Sequence, residues 1–407
     1  MGFTTGAMQR DFLGTSDTTV IDIDAHFEPG NDWLHPFPEL ARRLPVLDPG
    51  LIAVDSIVGD LLRDVPSAER PPLSELLPPG LSTLYGLEKA GESVRRAEFE
   101  GKHQFQVANA HARLKWMDEQ GIHLQHVICL SGIAYGLQVA DPGLRRDVIQ
   151  AANTWLADTC ASGNGRLYPV TALDYTDIDW AVTELRRMRR LGSRFVLIPA
   201  YPVNGVPPAH PSWDVFWSAV VDCGMVAMLH TGFEHMRFDP GWANLGADVT
   251  TLRMVGSGQR QVAPNTLLNA LCYSGVFERF PLLTVVLAEV GTGWLPFLYR
   301  EIDDRIAPTA ELFLGKYTLP MKPSEYLARN VKATPLRGGN DTPLARIMED
   351  LPAGMLVFSS DFPHFEGFTE PASYFAGALS GLDATQRSAF AGSSIADVFA
   401  RMGQPLA

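Results

Sequence analysis

Residues 18–29 read TTVIDIDAHFEP, and the fold is worked outward from this stretch. Val20-Ile21-Asp22-Ile23 alternates as a strand does, and the run ends in Asp24-Ala25-His26. In a regular strand, residues two apart share a side. The Asp24 carboxylate and the His26 imidazole are therefore expected to leave the strand end together, as two ligands of one ion would.

The chain downstream is rhythmic. From Gly121 onward, apolar runs alternate with helical patterns: HVICL at 126–130, LYPVTAL at 167–173, RFVLIP at 194–199, MVAMLH at 225–230, LTVVLAE at 283–289 and MLVFSSD at 355–361. With strand one and a weaker candidate at Asn330–Thr334, this makes eight strands, near residues 20, 126, 168, 195, 226, 284, 331 and 356. Most are continuous apolar runs, which fits strands buried on both faces of a parallel sheet. Helices are expected at Pro142–Ser162, Asp177–Leu191, Trp213–Cys223, Thr266–Phe280, Trp294–Ile306, Pro343–Leu351, Ala384–Ala391 and Ser394–Met402. Eight parallel strands with intervening helices predict an α/β protein with a (β/α)8 (TIM) barrel. An open doubly wound sheet would call for a glycine-rich phosphate loop, and neither GxGxxG nor GxxxxGK[ST] occurs.

The expected organisation is an arm at 1–17 followed by one barrel domain over 18–407. Between strand one and helix one, residues 32–108 form a long insertion with proline-rich patches at Pro36–Pro45 and Pro66–Pro79. The insertion is expected to end in a helical run from about Leu87 to Glu119 and to lid the site or reach a neighbouring subunit.

Composition narrows the partners. The 407 residues carry a formal charge of −13, so no basic surplus exists to neutralise nucleic acid or an anionic membrane. The cluster Arg186, Arg187, Arg189, Arg190 suits a solvated helix C-terminus. Cys129, Cys160, Cys223 and Cys272 are far apart, as expected of reduced thiols in a cytoplasmic protein. No signal peptide is read at the N-terminus. The apolar window Leu282–Tyr299 is interrupted by Glu289 and Pro296, which fits a buried strand and helix rather than a membrane span.

In a (β/α)8 barrel the strand C-terminal ends converge on one face. Here they supply Asp24 and His26 (strand one), His230 (five), Glu289 (six) and Asp361 (eight). Asp24, His26, His230 and Asp361 give two imidazoles and two carboxylates, a set suited to Zn2+, Fe2+ or Mn2+ with a position left open. His364 follows Asp361 by three residues and is expected at the rim of the same site or just behind its ligands. His235, Arg237, Arg253 and Arg260 lie on the segment after strand five, where an arginine could grip a substrate carboxylate. Arg300 and Asp303 suit a structural ion pair or a subunit interface, and Trp242 and Trp294 an aromatic pocket or simple packing.

With these motifs in place, the sequence resembles the amidohydrolase superfamily. More narrowly, it resembles the branch that contains aminocarboxymuconate semialdehyde decarboxylase and γ-resorcylate decarboxylase. The matching segments are IDIDAH, LHTG at 229–232, AEVGTGWLPFLYREID at 288–303 and FSSDFPHFEG at 358–367. The resemblance implies a single divalent ion, Zn2+ first, on Asp24, His26, His230 and Asp361. It implies Asp361 as ligand and proton carrier, with Glu289 and His364 as further acid/base groups. Decarboxylases of this branch usually carry His where this chain has Glu289, and a carboxylate holds a proton at neutral pH only with burial or an anionic neighbour.

The expected function is non-oxidative decarboxylation of a small aromatic or unsaturated carboxylic acid. The alternative is hydrolysis of an amide, lactone or cyclic C–N bond by water whose pKa falls toward ~7 on zinc. A third reading is a non-catalytic barrel that binds a ligand. A homodimer is expected.

Overall fold

The protein is described by a computed structural model, over residues 18–27, 34–44, 109–130, 136, 139–232, 240–246, 249–336, 344–364 and 367–406. Its centre is a seven-stranded, all-parallel sheet in chain order. The strands are β1 (Ile21–His26), β2 (Leu124–Ile128), β3 (Leu167–Thr171), β4 (Phe195–Leu197), β5 (Val226–His230), β6 (Val285–Ala288) and β7 (Val331–Ala333). All seven lie where the apolar runs predicted them. Each is buried almost throughout, as a sheet covered on both faces requires.

The expected eighth strand joins the two ends of the sheet. Met355 and Val357 exchange backbone bonds with Ala333 of β7 at 2.9 and 3.0 Å. On the other side Asp361 N–H donates to the Asp24 carbonyl at 2.8 Å, and His26 N–H donates to that of Phe362 at 2.8 Å. Single parallel bridges, Ala333 with Leu356 and Ala25 with Phe362, take the place of a continuous ladder. β1 is itself irregular at this seam. Four residues of β1, Asp22 to Ala25, run against three of β2, Gln125 to Val127, so β1 carries a bulge. The architecture is a curled parallel sheet wrapped by helices, consistent with a (β/α)8 barrel.

Two apolar layers follow from the alternation of side chains. Ile21, Ile23, Val170, Phe195, Leu197, Val226, Met228 and Val286 form an inner cluster, joined by Ile395, Val398 and Phe399 from helix Ser394–Arg401. Val127, Val196, Ala227, Leu229, Val285 and Leu287 pack outward against the helices. The tail is held close to β1. A Cβ on Gly392 would lie 2.1 Å from the Thr19 carbonyl, so only glycine fits there.

Helices start and stop as their sequences dictate. Asp141 and Asp177 cap helices Pro142–Ala161 and Ile178–Arg190 by accepting from Leu144 and Trp180 N–H. Of the four arginines ending the second of these helices, Arg186 and Arg190 are exposed as expected, and Arg187 and Arg189 are half-buried. Arg187 pairs with Glu184 at 2.6 Å, and Arg189 donates to the Cys223 carbonyl and to Gln404 at 2.8 Å each. The expected helix at 266–280 is two: Val262–Tyr273 and Val276–Arg279, parted at Gly275, whose φ is +75°.

The arm at 1–17 and most of the insertion lie outside the described residues. Within the insertion, Pro38–Arg43 is a helix docked on helix Pro142–Ala161 through Leu40 and an Arg43–Asp147 contact of 2.8 Å. The helical run expected from Leu87 is described from its final part, as helix Ala110–Gln120. The four cysteines are free thiols, with Cys129, Cys160 and Cys272 buried. Among the described residues, no helix is long and apolar enough to cross a membrane.

Candidate metal centre

The bulge in β1 decides which acids of IDIDAH face the site. Before it, Ile21 and Ile23 face the inner cluster, and Asp22 lies on the helix side against Gln125 and Ser360. The extra residue shifts the alternation by one, so Asp24 follows Ile23 on the inner side and His26 follows Asp24. Simple alternation would have placed Asp22 beside Asp24. The pairing of Asp24 with His26 holds, at 3.4 Å between Oδ1 and Nε2.

The other strand ends arrive at the same point. His230 Nε2 lies 3.5 Å from Asp24 Oδ1 and 3.2 Å from Glu289 Oε2. His26 Nε2 lies 3.0 Å from Asp361 Oδ1, and His364 Nδ1 lies 3.0 Å from that same oxygen. The His26 and His364 rings stack at 3.7 Å, and the His26 and His230 rings meet edge-on at 5.2 Å. Asp24, His26 and His230 are wholly buried, and Glu289, Asp361 and His364 nearly so. All six sequence-derived residues thus share one buried cluster. His364 sits deeper than a rim position, in a ligand-spaced group with His26 and Asp361 beside the group Asp24–His26–His230.

Backbone strain marks two of these positions. Among the described non-glycine residues, φ is positive at Asn164, Asn204, Glu289 (58°) and Asp361 (51°). Asparagine visits this region readily, and glutamate rarely does. At about 1–3 kcal/mol each, such residues persist where surroundings hold them, and they cluster at functional sites.

Electrostatics in the cluster follow from packing buried acids against buried imidazoles. Burial pushes the Asp24 carboxyl up, but His230 and His26 outweigh it and hold the group below the usual carboxylate range. Burial likewise opposes ionisation of Asp361, and His364 and His26 again prevail, leaving its pKa lowered. For His230, burial disfavours the cation, and Asp24, the Thr231 carbonyl and Asp361 more than compensate, so its pKa is raised. His230 Nδ1 lies 2.7 Å from the Thr231 carbonyl, which can only accept. Nδ1 therefore carries a proton, and in the neutral ring Nε2 turns a lone pair toward the carboxylates. Asp24 Oδ2 and Asp361 Oδ2 are buried and make no hydrogen bond. Buried carboxylate oxygens facing imidazole lone pairs are the pattern a divalent cation completes, so the residues fit a metal ion.

The other sequence candidates separate. Arg260 is half-buried and donates to the Glu289 carbonyl at 3.4 Å. His235 and Arg237 lie outside the described residues, as does the side chain of Arg253. Trp242 is exposed, and Trp294 donates to the Val290 and Gly291 carbonyls, a packing role. Arg300 approaches Asp350 at 3.8 Å, and Asp303 accepts from Ser324. Sequence reading missed the buried polar set behind the site: Asp22, Arg113, Gln125 and Ser360. Gln125, a polar residue in the second strand, was the available signal.

The amidohydrolase family model matches residues 131–400. The chain belongs to the amidohydrolase family. The match starts after β1, so Asp24 and His26 are brought to the family's domain by the fold. Among curated proteins, the γ-resorcylate decarboxylase of Polaromonas sp. (strain JS666 / ATCC BAA-500) is 26% identical over 283 residues, covering 65% of this chain and 79% of that protein. Among solved structures, 5-carboxyvanillate decarboxylase LigW from Sphingomonas paucimobilis aligns over 94% of this chain and 99% of its own, at 20% identity and a TM-score of 0.62. The dihydroxybenzoic acid decarboxylase from Polaromonas sp. JS666, with bound manganese and the inhibitor 2-nitroresorcinol, aligns over 94% and 97% at 20% identity and a TM-score of 0.58. The structural likenesses show that this amidohydrolase chain shares the fold of those decarboxylases.

Proposed function

We propose that this protein is a divalent-metal-dependent decarboxylase of a small aromatic or unsaturated carboxylic acid. The observation that carries the reading is the convergence of Asp24, His26, His230 and Asp361 in one buried cluster. Names of the relatives add the substrate class: γ-resorcylate, 5-carboxyvanillate and dihydroxybenzoic acid are aromatic carboxylic acids.

Asp24, His26, His230 and Asp361 would hold the ion, with His364 within reach of the same position. When bound, the ion supplies positive charge to anchor the substrate's carboxylate and neighbouring oxygen. The donor set suits Zn2+, Mn2+ and Fe2+, and the manganese in the Polaromonas enzyme makes Mn2+ the first ion to test, ahead of Zn2+.

Decarboxylation requires a proton at the carbon that loses CO2. The C–C bond breaks, its electron pair stays with the carbon, and the proton takes that pair. Asp361 Oδ1 and His364 Nδ1, 3.0 Å apart, are placed to hold this proton between them, with Asp361 as the atom that delivers it and His364 as its resupply. Glu289 Oε2 lies 3.2 Å from His230 Nε2, the nitrogen that also faces Asp24, so its carboxylate sits at the site as a further acid/base group. Arg260, held beside the Glu289 backbone, is the described arginine positioned to pair with a substrate anion.

Glu289 also supports a second reading. A carboxylate where the branch usually has His suits removal of a proton from water, hence hydrolysis of an amide, lactone or cyclic C–N bond. One assay separates the two. Protein loaded with Mn2+ or Zn2+ is offered hydroxybenzoates, unsaturated acids, amides and lactones, and CO2 is measured beside product formation. Metal-dependent CO2 release supports decarboxylation, and hydrolytic product without CO2 overturns it.

A further inference from the structure

Behind the candidate metal centre, on the helix side of β1, lies a buried chain of polar groups. Arg113 of helix Ala110–Gln120 is 5% exposed. Its Nη2 donates to the His26 carbonyl at 2.6 Å, and its Nη1 donates to Gln125 Oε1 at 2.7 Å. Gln125 Nε2 donates to Asp22 Oδ2 at 2.8 Å. Asp22 in turn accepts from Ser360, from N–H at 2.8 Å and from the hydroxyl at 2.5 Å. The Ser360 hydroxyl oxygen accepts from Phe362 N–H at 3.2 Å. The guanidinium is also sandwiched between two rings, 4.5 Å from the Phe27 centroid and 4.8 Å from that of Phe362.

Several of these contacts fall one residue from a metal-site side chain, or on its backbone. Phe27 follows His26, Phe362 follows Asp361, and Ser360 precedes it. Arg113 touches the His26 carbonyl itself. The network therefore spans the seam where the bulged β1 meets segment 355–362, the place where the ladder is reduced to single bridges.

Stability alone gives a weak reason for this arrangement. Burying an arginine and a carboxylate carries a desolvation cost, and well-packed apolar side chains do as well or better. Apolar side chains cannot fix the relative height of two strands at a broken ladder, and a hydrogen-bonded charge network can. Burial draws the Arg113 pKa down to about 9 against the pull of Asp22 and raises that of Asp22 to about 7 against its hydrogen bonds from Ser360 and Gln125, so at neutral pH the guanidinium is charged and Asp22 is close to its titration point.

We infer that Arg113, acting through Gln125, Asp22 and Ser360, is a positioning residue that sets Asp24 and His26 against Asp361 at the spacing a divalent ion requires. The inference rests on the reading of these side chains as metal ligands. None of the four network residues touches the ion position, so their effect passes through the backbone of the ligands.

The test uses the full chain and Mn2+. Dissociation constants are measured by chelator competition on wild type, Arg113→Met, Arg113→Lys and Ser360→Ala, with circular dichroism and urea unfolding of the metal-free proteins alongside. Arg113→Met is expected to weaken Mn2+ binding about 10–100-fold, the range typical of residues supporting metal ligands. Ser360→Ala, which removes one hydroxyl and keeps the fold, weakens it in the same direction. Arg113→Lys regains part of the loss through a donor to the His26 carbonyl. The double variant Arg113→Met/Ser360→Ala loses less than the two single losses combined, because one network is being cut twice.

If Arg113→Met fails to fold, Ser360→Ala and Arg113→Lys decide. Unchanged Mn2+ affinity of the folded variants, with only the urea midpoint lowered, overturns the inference. A wild type that binds no divalent ion overturns the metal-centre reading, and the inference falls with it.

Discussion

Asp24→Asn isolates the electrostatics of the cluster without changing its shape. In the metal-free protein the Asp24 carboxylate lies 3.4 Å from His26 Nε2 and 3.5 Å from His230 Nε2, with all three side chains out of water. The His230 pKa is raised because Asp24 and its other acceptors outweigh burial. With the amide in place, burial regains weight and the pKa falls. Between the two values the native wild type binds one more proton than the native variant, so their stability difference changes by about 1.4 kcal/mol per pH unit. The signs of both partners agree. A raised His230 pKa contributes stability that is present below the ordinary histidine value and is lost as pH rises through the raised one. A depressed Asp24 pKa contributes stability that is present above the ordinary carboxylate value and is lost as pH falls through the depressed one.

The pair therefore stabilises the metal-free fold most between about pH 4 and 6.5. Breaking a buried pair costs about 3–5 kcal/mol when the remaining charge stays, and His230 can escape part of that by shedding its proton. Urea unfolding of chelator-treated wild type and Asp24→Asn should show a gap of a few kcal/mol near pH 5.5 that narrows as pH rises through the raised His230 pKa. A gap independent of pH would refute this account of how the cluster is charged.

Further predictions address the backbone and the ion. At position 289, where φ is 58°, glycine should exceed alanine in stability by about 1–2 kcal/mol in urea unfolding, and equal stability would show the left-handed conformation is not imposed. A Cβ on Gly367 would meet the Asp361 carbonyl at 2.3 Å, so Gly367→Ala should cost about 1–3 kcal/mol and weaken Mn2+ binding measured by titration. Because His230 must lose a proton to become a ligand and its pKa is raised, Mn2+ affinity should fall about tenfold per pH unit below that pKa, with proton release visible by calorimetry.

Much of the architecture was legible because parallel strands buried on both faces leave continuous apolar runs, and seven such runs became strands. The last run, 355–361, was legible as extended chain, yet it forms single bridges to β7 and to the bulged β1. No residue in IDIDAH announces that bulge. It is also why Asp22 departs from the side that alternation assigned to it. The acids and imidazoles of the site were legible because they end strands. The backbone supporting them was not: Arg113 and Gln125 sit in the interiors of a helix and a strand, and their roles come from contacts made across the seam. From sequence, His364 was expected at the rim or just behind the ligands, and it stacks on His26 with Nδ1 3.0 Å from Asp361 Oδ1.

The most direct measurement is metal content per chain after loading with Mn2+ and removal of free ion, in wild type and in Asp24→Ala. The account predicts one bound ion per wild-type chain and almost none in the variant. A wild type that retains no ion, or a variant that retains as much as wild type, would contradict it.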